Sequence, residues 1–330
     1  CLFHQFQLFK ALLYSLLLPT GTVILSSRAP IGKTAIAGCE MCCNQGFKNL
    51  ICSDAIYNEY LYFFLKSKTD YLNSLGRGAT FKEISKSIVE SIEIPLPEVN
   101  QQKEIAEKFK KLEQLISLRK QQLAKQDELV KARFVEKFFK KRYPIKTLDE
   151  LSIGKGEYGA QSASIEYNPS RPRYVRITDV NDDGTLNDNC VSSDNISDDT
   201  QYKLSYGDFM FARMGATVGK TYAFLSGNQI FAGYLIRYKL NLSLVNPRYL
   251  FWYTKLDEYQ TWVKLNQSGA AQPGINAKKY GSLKIPVPPI ELQNQFATFV
   301  ERVEKQKQTV QQSLEKLELM KKALMQEYFG

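Results

Sequence analysis

Two copies of one short pattern contain residue types that could bind a nucleotide. Gly215–Thr221 ends in Gly-Lys-Thr, as a phosphate-binding loop does, but it is one residue too short between its two glycines to wrap phosphates. Ile31–Thr34 repeats this ending, with Ser27 at the position where the first glycine should stand. We therefore interpret both copies as turns between two strands, and we predict no nucleotide site.

Two further motifs have similar structural explanations. Asp179–Gly184 matches the start of a calcium loop, but Cys190 stands where the bidentate glutamate should be, so a polar hairpin turn fits better. Asn246-Pro247-Arg248-Tyr249 resembles the Asn-Pro-Pro-Tyr motif that holds a target adenine in amino-methyltransferases. Arg248 replaces the second proline, and no glycine-rich cofactor loop follows a strand. We predict a helix start, with Asn246 as the cap and Pro247 in the first position.

Histidine and cysteine are distributed in a way that excludes most catalytic and metal chemistry. The only histidine is His4, so Ser-His-Asp, Cys-His and histidine-ligated metal sites are excluded elsewhere in the chain. Cys39 and Cys42 have the spacing of half a zinc site, but no second pair follows at a distance. We predict reduced thiols, no metal and no catalytic residue. A secreted protein with disulfides among Cys39–Cys52 is an alternative.

Binding remains, and the charge of the chain favours a polyanionic partner. The net charge is +10 and the isoelectric point is about 9.1. Lysine and arginine supply phosphate contacts, whereas arginine can also read base edges, although most single surface charges are only solvated. The predicted DNA-binding residues lie in loops of two domains: Arg28, Lys33, Arg77 and Lys82 in the first, and Lys155, Tyr158, Arg171, Arg173, Arg176, Arg213, Lys220, Lys278 and Lys279 in the second.

A long internal repeat organises these residues. Ile94-Pro95-Leu96-Pro97 recurs as Ile285-Pro286-Val287-Pro288, an offset of 191 residues (285 − 94), and a long helical pattern follows each copy. The repeat extends upstream and makes Arg28 the expected counterpart of Arg213. A repeat of this length indicates a duplicated domain plus helix.

The repeat predicts four segments: a first domain at residues 1–97, a long helix at 98–142, a second domain at 143–289 and a second long helix at 290–330. Relative to the second domain, the first is expected to be shortened by roughly forty residues at its N-terminus. The apolar stretch Leu2–Leu18 is predicted to be a buried segment. It is interrupted by polar residues and falls short of the ~20 apolar residues that a membrane span needs.

Alternating and helical patterns predict the elements within the two domains. Helices are predicted at Asn58–Asn73 and Pro247–Leu256. Strands are predicted at Thr22–Ser26, Ala35–Gly38, Ser87–Ile94, Tyr174–Thr178, Phe209–Ala212, Thr221–Leu225, Leu235–Leu240 and Leu283–Ile285.

Each long helix carries an apolar stripe that is typical of a coiled-coil seam. The predicted seam residues are Ile105, Phe109, Leu112, Ile116, Leu123 and Val130 in the first helix, and Phe296, Val300, Val303, Val310, Leu314 and Leu317 in the second. Arg119 and Gln126 interrupt the first stripe. Because no third helical layer covers the stripes, the two helices are predicted to pair antiparallel and to hold the domains at opposite ends of a rod. The fold class is therefore α+β, with two strand-rich domains each followed by a long helix.

Three patterns together carry a family resemblance: Phe211–Lys220, Tyr174–Val180 and the twice-used Ile-Pro-Leu/Val-Pro turn before a long helix. On these residues the chain resembles the specificity (S) subunits of type I restriction–modification systems, over Gly21–Gly330. The resemblance implies two target-recognition domains that each read one half of a split DNA site, without catalysis by this chain. The paired helices would set the gap, since about 42 helical residues span about 63 Å.

The resemblance also implies partners in the cytoplasm. Besides double-stranded DNA, these are two methylating subunits that use S-adenosylmethionine, and restriction subunits that use ATP and Mg²⁺. It implies no cofactor in this chain and no membrane. The alternative is a non-catalytic adaptor whose coiled coil joins two protein-binding domains. DNA affinity that falls with salt would separate the two hypotheses.

Overall fold

The computed structural model describes residues 17–78, 82–139, 142–269 and 273–330, which form two compact units. The first unit contains the described residues up to Leu123 together with Thr309–Gly330, and the second contains those of Ala124–Gln308. His4 and most of the N-terminal apolar stretch lie outside the described ranges. None of the helices within these ranges is long and apolar enough to cross a lipid bilayer.

The first unit has a small antiparallel sheet, in which β1 (Val23–Ser26) lies between β2 (Thr34–Ile36) and β3 (Phe47–Leu50). All four residues of β1 are buried. The helices α1 (Asn58–Ser67) and α2 (Thr69–Ser74) follow. They replace the single predicted helix Asn58–Asn73, and β3 was not predicted. We call the described residues of 17–97 the first globule.

The predicted strand Ser87–Ile94 is wrong, because this segment begins as the short helix α3 (Lys86–Glu90). The Ser85 hydroxyl caps it by accepting a hydrogen bond from the backbone N–H of Ile88 at 3.2 Å. In the second repeat, Asn276 caps a helix in the same way, with the N–H of Lys279 at 2.9 Å. Asn276 follows Ser85 by the repeat offset. The capping residue was therefore the sequence signal for this helix, but the alternating isoleucines, which suggested a strand, obscured it.

Ten strands follow in the described part of the second unit: β4 (Ile145–Thr147), β5 (Glu157–Tyr158), β6 (Ser164–Glu166), β7 (Arg173–Val175), β8 (Val191–Ser193), β9 (Asp208–Ala212), β10 (Thr221–Ala223), β11 (Gln229–Phe231), β12 (Leu235–Lys239) and β13 (Lys284–Pro286). Four of them form an antiparallel sheet in the order β10-β9-β12-β5, and the others form the pairs β13-β4, β6-β8 and the parallel β11-β7. We call the described residues of 142–289 the second globule.

Short helices connect strands of the second globule, and a long helix follows each globule. The long helices are α4 (Val99–Phe134), which continues as a π-helical segment (Val135–Phe139), and α9 (Ile290–Phe329). The shorter helices are α5 (Asp198–Gln201), α6 (Pro247–Tyr253), α7 (Asp257–Asn266) and α8 (Ala277–Gly281). The Asn246 side chain accepts from the N–H of Arg248, so the predicted helix cap is present. The α+β fold class with two long helices is confirmed.

In the first unit, the start of α4 packs against the end of α9. Phe109 is fully buried and stacks on Phe329 with a centroid distance of 5.5 Å. Lys321 and Lys66 both contact the carboxylate of Glu113. Burial alone would raise the pKa of Glu113, but the hydrogen bonds from these two lysines hold it below its usual range.

In the second unit, the end of α4 packs against the start of α9, so the helices run antiparallel here as well. Phe134 and Phe138 meet Phe296 edge-to-face at 5.2 and 5.5 Å. Of the predicted seam residues, Ile116, Leu123 and Leu317 are half-buried, and the other nine are buried: Ile105, Phe109, Leu112, Val130, Phe296, Val300, Val303, Val310 and Leu314.

A buried glutamine joins α4 to the first globule. The Gln102 side-chain N–H groups donate to the carbonyls of Ala55 and Pro97 at 3.0 and 2.8 Å. Its carbonyl oxygen accepts from the backbone N–H of Tyr57, which directly precedes α1, at 2.8 Å. Gln102 is fully buried. One side chain therefore fixes the start of α1, the turn before α4 and α4 itself.

We call this glutamine-centred connection between a globule and the following long helix a joint. The same joint recurs at α9. Gln293 donates to the carbonyls of Leu244 and Pro288 at 3.0 and 2.8 Å and accepts from the N–H of Asn246 at 2.9 Å. It is also fully buried. Gln293 follows Gln102 by 191 residues, and Pro288 follows Pro97 by the same number. The sequence repeat is thus a repeat of hydrogen bonding as well.

The loop at residues 179–187 is the predicted hairpin turn, and it is anchored by a lysine. Val180 and Leu186 form an antiparallel bridge. Lys255 donates to the carbonyl of Asp182 at 2.6 Å and lies over the ring of Phe251. Within the described ranges, no three His, Cys, Asp or Glu side chains are grouped as a metal site would require.

The anchoring lysine makes stability depend on pH. Burial lowers the pKa of Lys255 to about 8 from its usual 10.5, against the opposing effect of Asp182 and Asp183. Between these values the unfolded chain binds more protons, so the free energy of unfolding should rise with pH. We expect a rise on the order of 1–2 kcal/mol, because the side chain is partly exposed.

Urea unfolding from pH 7.5 to 9.5 measures this rise, and Lys255→Met should abolish it. The exposed Lys264 provides the matched control, since Lys264→Met should leave the rise unchanged. A rise that persists in Lys255→Met would assign the pH dependence to another group.

Candidate nucleic-acid interface

Arg213 follows β9, a fully buried inner strand of the four-stranded sheet, and its backbone is fixed on both sides. Its N–H donates to the carbonyl of Tyr234 at 3.0 Å, and its carbonyl accepts from the N–H of Ile275 at 2.9 Å. The residue therefore leaves the end of a rigid strand in a defined direction, which is how a binding side chain is best positioned.

The guanidinium of Arg213 is held by two tyrosine rings and one carbonyl. Its central carbon lies 5.0 Å from the ring centroid of Tyr158 and 5.7 Å from that of Tyr234, within the range of cation–π attraction. Its Nε donates to the carbonyl of Gly233 at 2.9 Å. The rings remain 41% and 52% exposed. We call Arg213, Tyr158 and Tyr234 the arginine–tyrosine cluster.

The cluster is linked to a helix that carries lysines. The hydroxyl of Tyr158 accepts from the N–H of Ala277 in the first turn of α8, at 3.2 Å. The next residue, Lys278, is exposed and forms no ion pair or hydrogen bond with any described residue. Lys279 instead donates to the carbonyl of Asn266 at 2.7 Å. The cluster and Lys278 together present two exposed rings and two positive charges that no acidic side chain of the described residues neutralises.

The other predicted arginines of the second globule are engaged by neighbouring groups. Arg171 forms a two-point ion pair with Asp199, at 2.7 and 2.9 Å. Arg176 does the same with Asp179 at 3.1 and 2.8 Å, and Asp179 is fully buried. Arg173 donates to the carbonyl of Asn187 at 2.7 Å. The structure therefore does not bring these three side chains into the arginine–tyrosine cluster, and each braces a loop.

Two predicted lysines of the second globule also have acidic partners. Lys155 contacts Asp149 at 2.6 Å, and Lys220 contacts Asp182 at 2.8 Å. The pairing with Lys220 lowers the pKa of Asp182 below its usual range. Exposed pairs of this kind contribute little to stability, so both lysines could exchange a carboxylate for a phosphate at small cost.

Backbone hydrogen bonds define which residue of the first globule corresponds to Arg213. The N–H of Ala212 donates to Lys220, as that of Ser26 does to Lys33, both at 2.8 Å. One position further, the carbonyl of Ser27 accepts from Ile84 as that of Arg213 does from Ile275. The counterpart of Arg213 is therefore Ser27.

The expectation that Arg28 corresponds to Arg213 is thus wrong by one position. The cause is the turn that follows, which is one residue longer in the second globule, between Arg213 and Gly219, than in the first, between Ser27 and Gly32. Gly32 and Gly219 adopt the same positive φ, 87° and 86°, so both loops end in the predicted tight turn.

The arginine–tyrosine cluster has no equivalent at these positions in the first globule. Ser27 is fully buried, and Gly46, whose carbonyl accepts from the N–H of Ser27, takes the place of Tyr234. Instead, Glu83 contacts Arg28 at 3.1 Å and the nearly buried Lys48 at 3.5 Å. Sequence reasoning missed both Lys48 and Tyr234, since each is a single residue in or beside a strand with no distinguishing pattern.

The remaining predicted residues of the first globule, Lys33, Arg77 and Lys82, are exposed. The cysteines of the described ranges are free thiols, and Cys39 and Cys42 are exposed. Burial raises the pKa of Cys52 to about 11, which makes this thiol a poor nucleophile at neutral pH.

Comparison with known proteins identifies a family. The model described as "Type I restriction modification DNA specificity domain" matches residues 10–126 and 140–319. The type I restriction enzyme MjaIX specificity subunit of Methanocaldococcus jannaschii is 42% identical over 106 residues, which cover 32% of this chain and 24% of that protein. The MjaVIII specificity subunit of the same organism is 22% identical over 303 residues, 84% of this chain and 70% of that protein. The chain thus spans about a quarter of the length of the MjaIX relative.

Solved structures show the same fold. The S subunit of a type I restriction–modification system from M. genitalium superposes with a TM-score of 0.64 at 16% identity, covering 98% of this chain and 84% of that one. A chain from a study of complex assembly in the type I system superposes with a TM-score of 0.59 at 18% identity, covering 95% and 82%. At these identities the likeness concerns the fold alone.

Proposed function

Because the chain belongs to the type I restriction–modification DNA specificity family, we propose that it is the non-catalytic subunit that recognises DNA in such a system. The observation that carries the proposal is the duplicated joint between globule and helix. Gln102 and Gln293 make the same three hydrogen bonds, 191 residues apart. Two equivalently attached globules suit the recognition of two DNA segments.

The two globules read different half-sites of a split target. At equivalent positions one globule has Arg213 and Tyr234, and the other has Ser27 and Gly46. Because Ser27 is buried and Gly46 has no side chain, the first globule cannot make at these positions the contact that Arg213 and Tyr234 offer in the second. We therefore expect an asymmetric target rather than a palindrome, with the paired helices setting the spacer.

Partner subunits supply the chemistry. We propose that the exposed surfaces around the two repeated joints dock two methylating subunits, which use S-adenosylmethionine, and that restriction subunits with ATP and Mg²⁺ complete a cytoplasmic complex. The support is the duplication itself, since two equivalent surfaces favour two copies of one partner.

Methylation mapping tests the proposed function. The chain is expressed with the methylating subunit of its system in cells without other adenine methylation, and genomic DNA is sequenced for methyladenine. The expected result is one split motif with two different halves, absent when this chain is omitted. A palindromic motif would contradict the assignment of different half-sites. No motif, together with DNA affinity independent of salt, would favour the adaptor instead.

A further inference from the structure

We propose that Arg213 reads a guanine in the half-site of the second globule, an inference that rests on the proposed recognition of DNA. Among the predicted DNA-binding arginines of this globule, it combines three properties that a base-reading side chain needs. It has free donors, a fixed position and an exposed surrounding surface.

The free donors are the two terminal nitrogens. Nε of Arg213 is occupied by the carbonyl of Gly233, but neither Nη group forms a hydrogen bond with any described residue. The paired arrangement of these groups matches O6 and N7 of guanine in the major groove, the usual target of a two-point arginine contact. Arg171 and Arg176 lack this capacity, because Asp199 and Asp179 already occupy their paired donors.

The fixed position comes from the rings of Tyr158 and Tyr234 and from the bond to Gly233. An arginine that is already ordered loses little side-chain entropy when it binds, which raises the discrimination that its hydrogen bonds can deliver. A phosphate contact carries no sequence information, so this fixed orientation adds base discrimination only when the contact is to a base edge. The exposed tyrosine rings also offer flat apolar surface beside the guanidinium.

Lys278 provides an internal comparison. It is exposed and unpaired among the described residues, and it follows Ala277, which is hydrogen-bonded to Tyr158. A flexible ammonium on a helix is suited to a phosphate, which strengthens binding without selecting a base. Replacing Arg213 should therefore change which base is accepted, whereas replacing Lys278 should change only the affinity for DNA.

The test is methylation mapping of three variants beside the unmodified chain. Arg213→Gln replaces the guanidinium by an amide, which pairs with adenine rather than guanine, Arg213→Met removes the charge and every side-chain donor, and Lys278→Ala removes a phosphate contact. We expect both Arg213 variants to accept other bases at one guanine position, in one half of the motif. Discrimination at this position should fall roughly 10- to 100-fold. The other half should be unchanged.

Lys278→Ala should leave the motif intact and lower methylation evenly at all sites, with a salt slope of DNA affinity smaller by about one. The inference is overturned if Arg213→Met keeps the full motif, or if Arg213→Gln lowers methylation at all sites without relaxing any base. Thermal unfolding of the variants checks that they fold, and Arg213→Met decides the question if Arg213→Gln does not fold. Absence of any motif with the unmodified chain would instead remove the proposed function on which the inference rests.

Discussion

Replacing Phe329 by alanine is expected to lower the stability of the first unit by about 3–5 kcal/mol. Phe329 is 1% exposed and lies near the end of α9. It stacks on Phe109 at 5.5 Å and meets the rings of Tyr60 and Phe64 edge-on at 5.4 and 5.8 Å. Its removal opens a cavity where α9, α4 and the first globule meet, so all three lose packing together.

Chemical denaturation followed by circular dichroism measures this loss. Leu319→Ala is the matched control, because Leu319 lies on the same helix but is 69% exposed, and it should change stability by less than about 0.5 kcal/mol. Equal effects of the two substitutions would show that the end of α9 does not hold the first unit together.

The repeat could be predicted from the sequence because it depends on features that survive divergence. The prolines around Pro95 and Pro286 end one element and force the start of the next, and the apolar stripes retain a helical period. These features are local, so they remain visible when most other residues have changed. They were sufficient to predict the α+β class and the antiparallel helices.

The partners of individual side chains could not be predicted in the same way. Arg171, Arg173 and Arg176 lie close together in a basic run, which suggested a binding surface. In the fold, Arg171 meets Asp199, which is 28 residues away, and Arg173 meets Asn187. Which acidic or carbonyl group neutralises an arginine depends on loop geometry, and no periodic pattern encodes it.

Glutamine illustrates the same limit within the repeat. Gln102 and Gln293 were visible as identical residues at the repeat offset, but a glutamine after a proline-rich turn reads as an ordinary first turn of a helix. Only the fold shows that Tyr57 and Asn246, the residues preceding α1 and α6, direct their N–H groups at these side chains. Each glutamine satisfies three backbone groups at once.

Replacing either glutamine by methionine should therefore destabilise the protein by about 3 kcal/mol, even though the volume is nearly unchanged. Gln102→Met leaves the carbonyls of Ala55 and Pro97 and the N–H of Tyr57 without their partner, and each of these part-buried groups costs about 1 kcal/mol when it is unpaired. Gln293→Met should cost a similar amount, since its three bonds are equivalent.

Gln101→Met is the control, because Gln101 is exposed and adjacent to Gln102. Denaturant unfolding of the three variants measures these costs. If Gln102→Met were as stable as Gln101→Met, water would be forming the hydrogen bonds that Gln102 makes to the three backbone groups. The rigidity of the joint would then come from apolar packing instead.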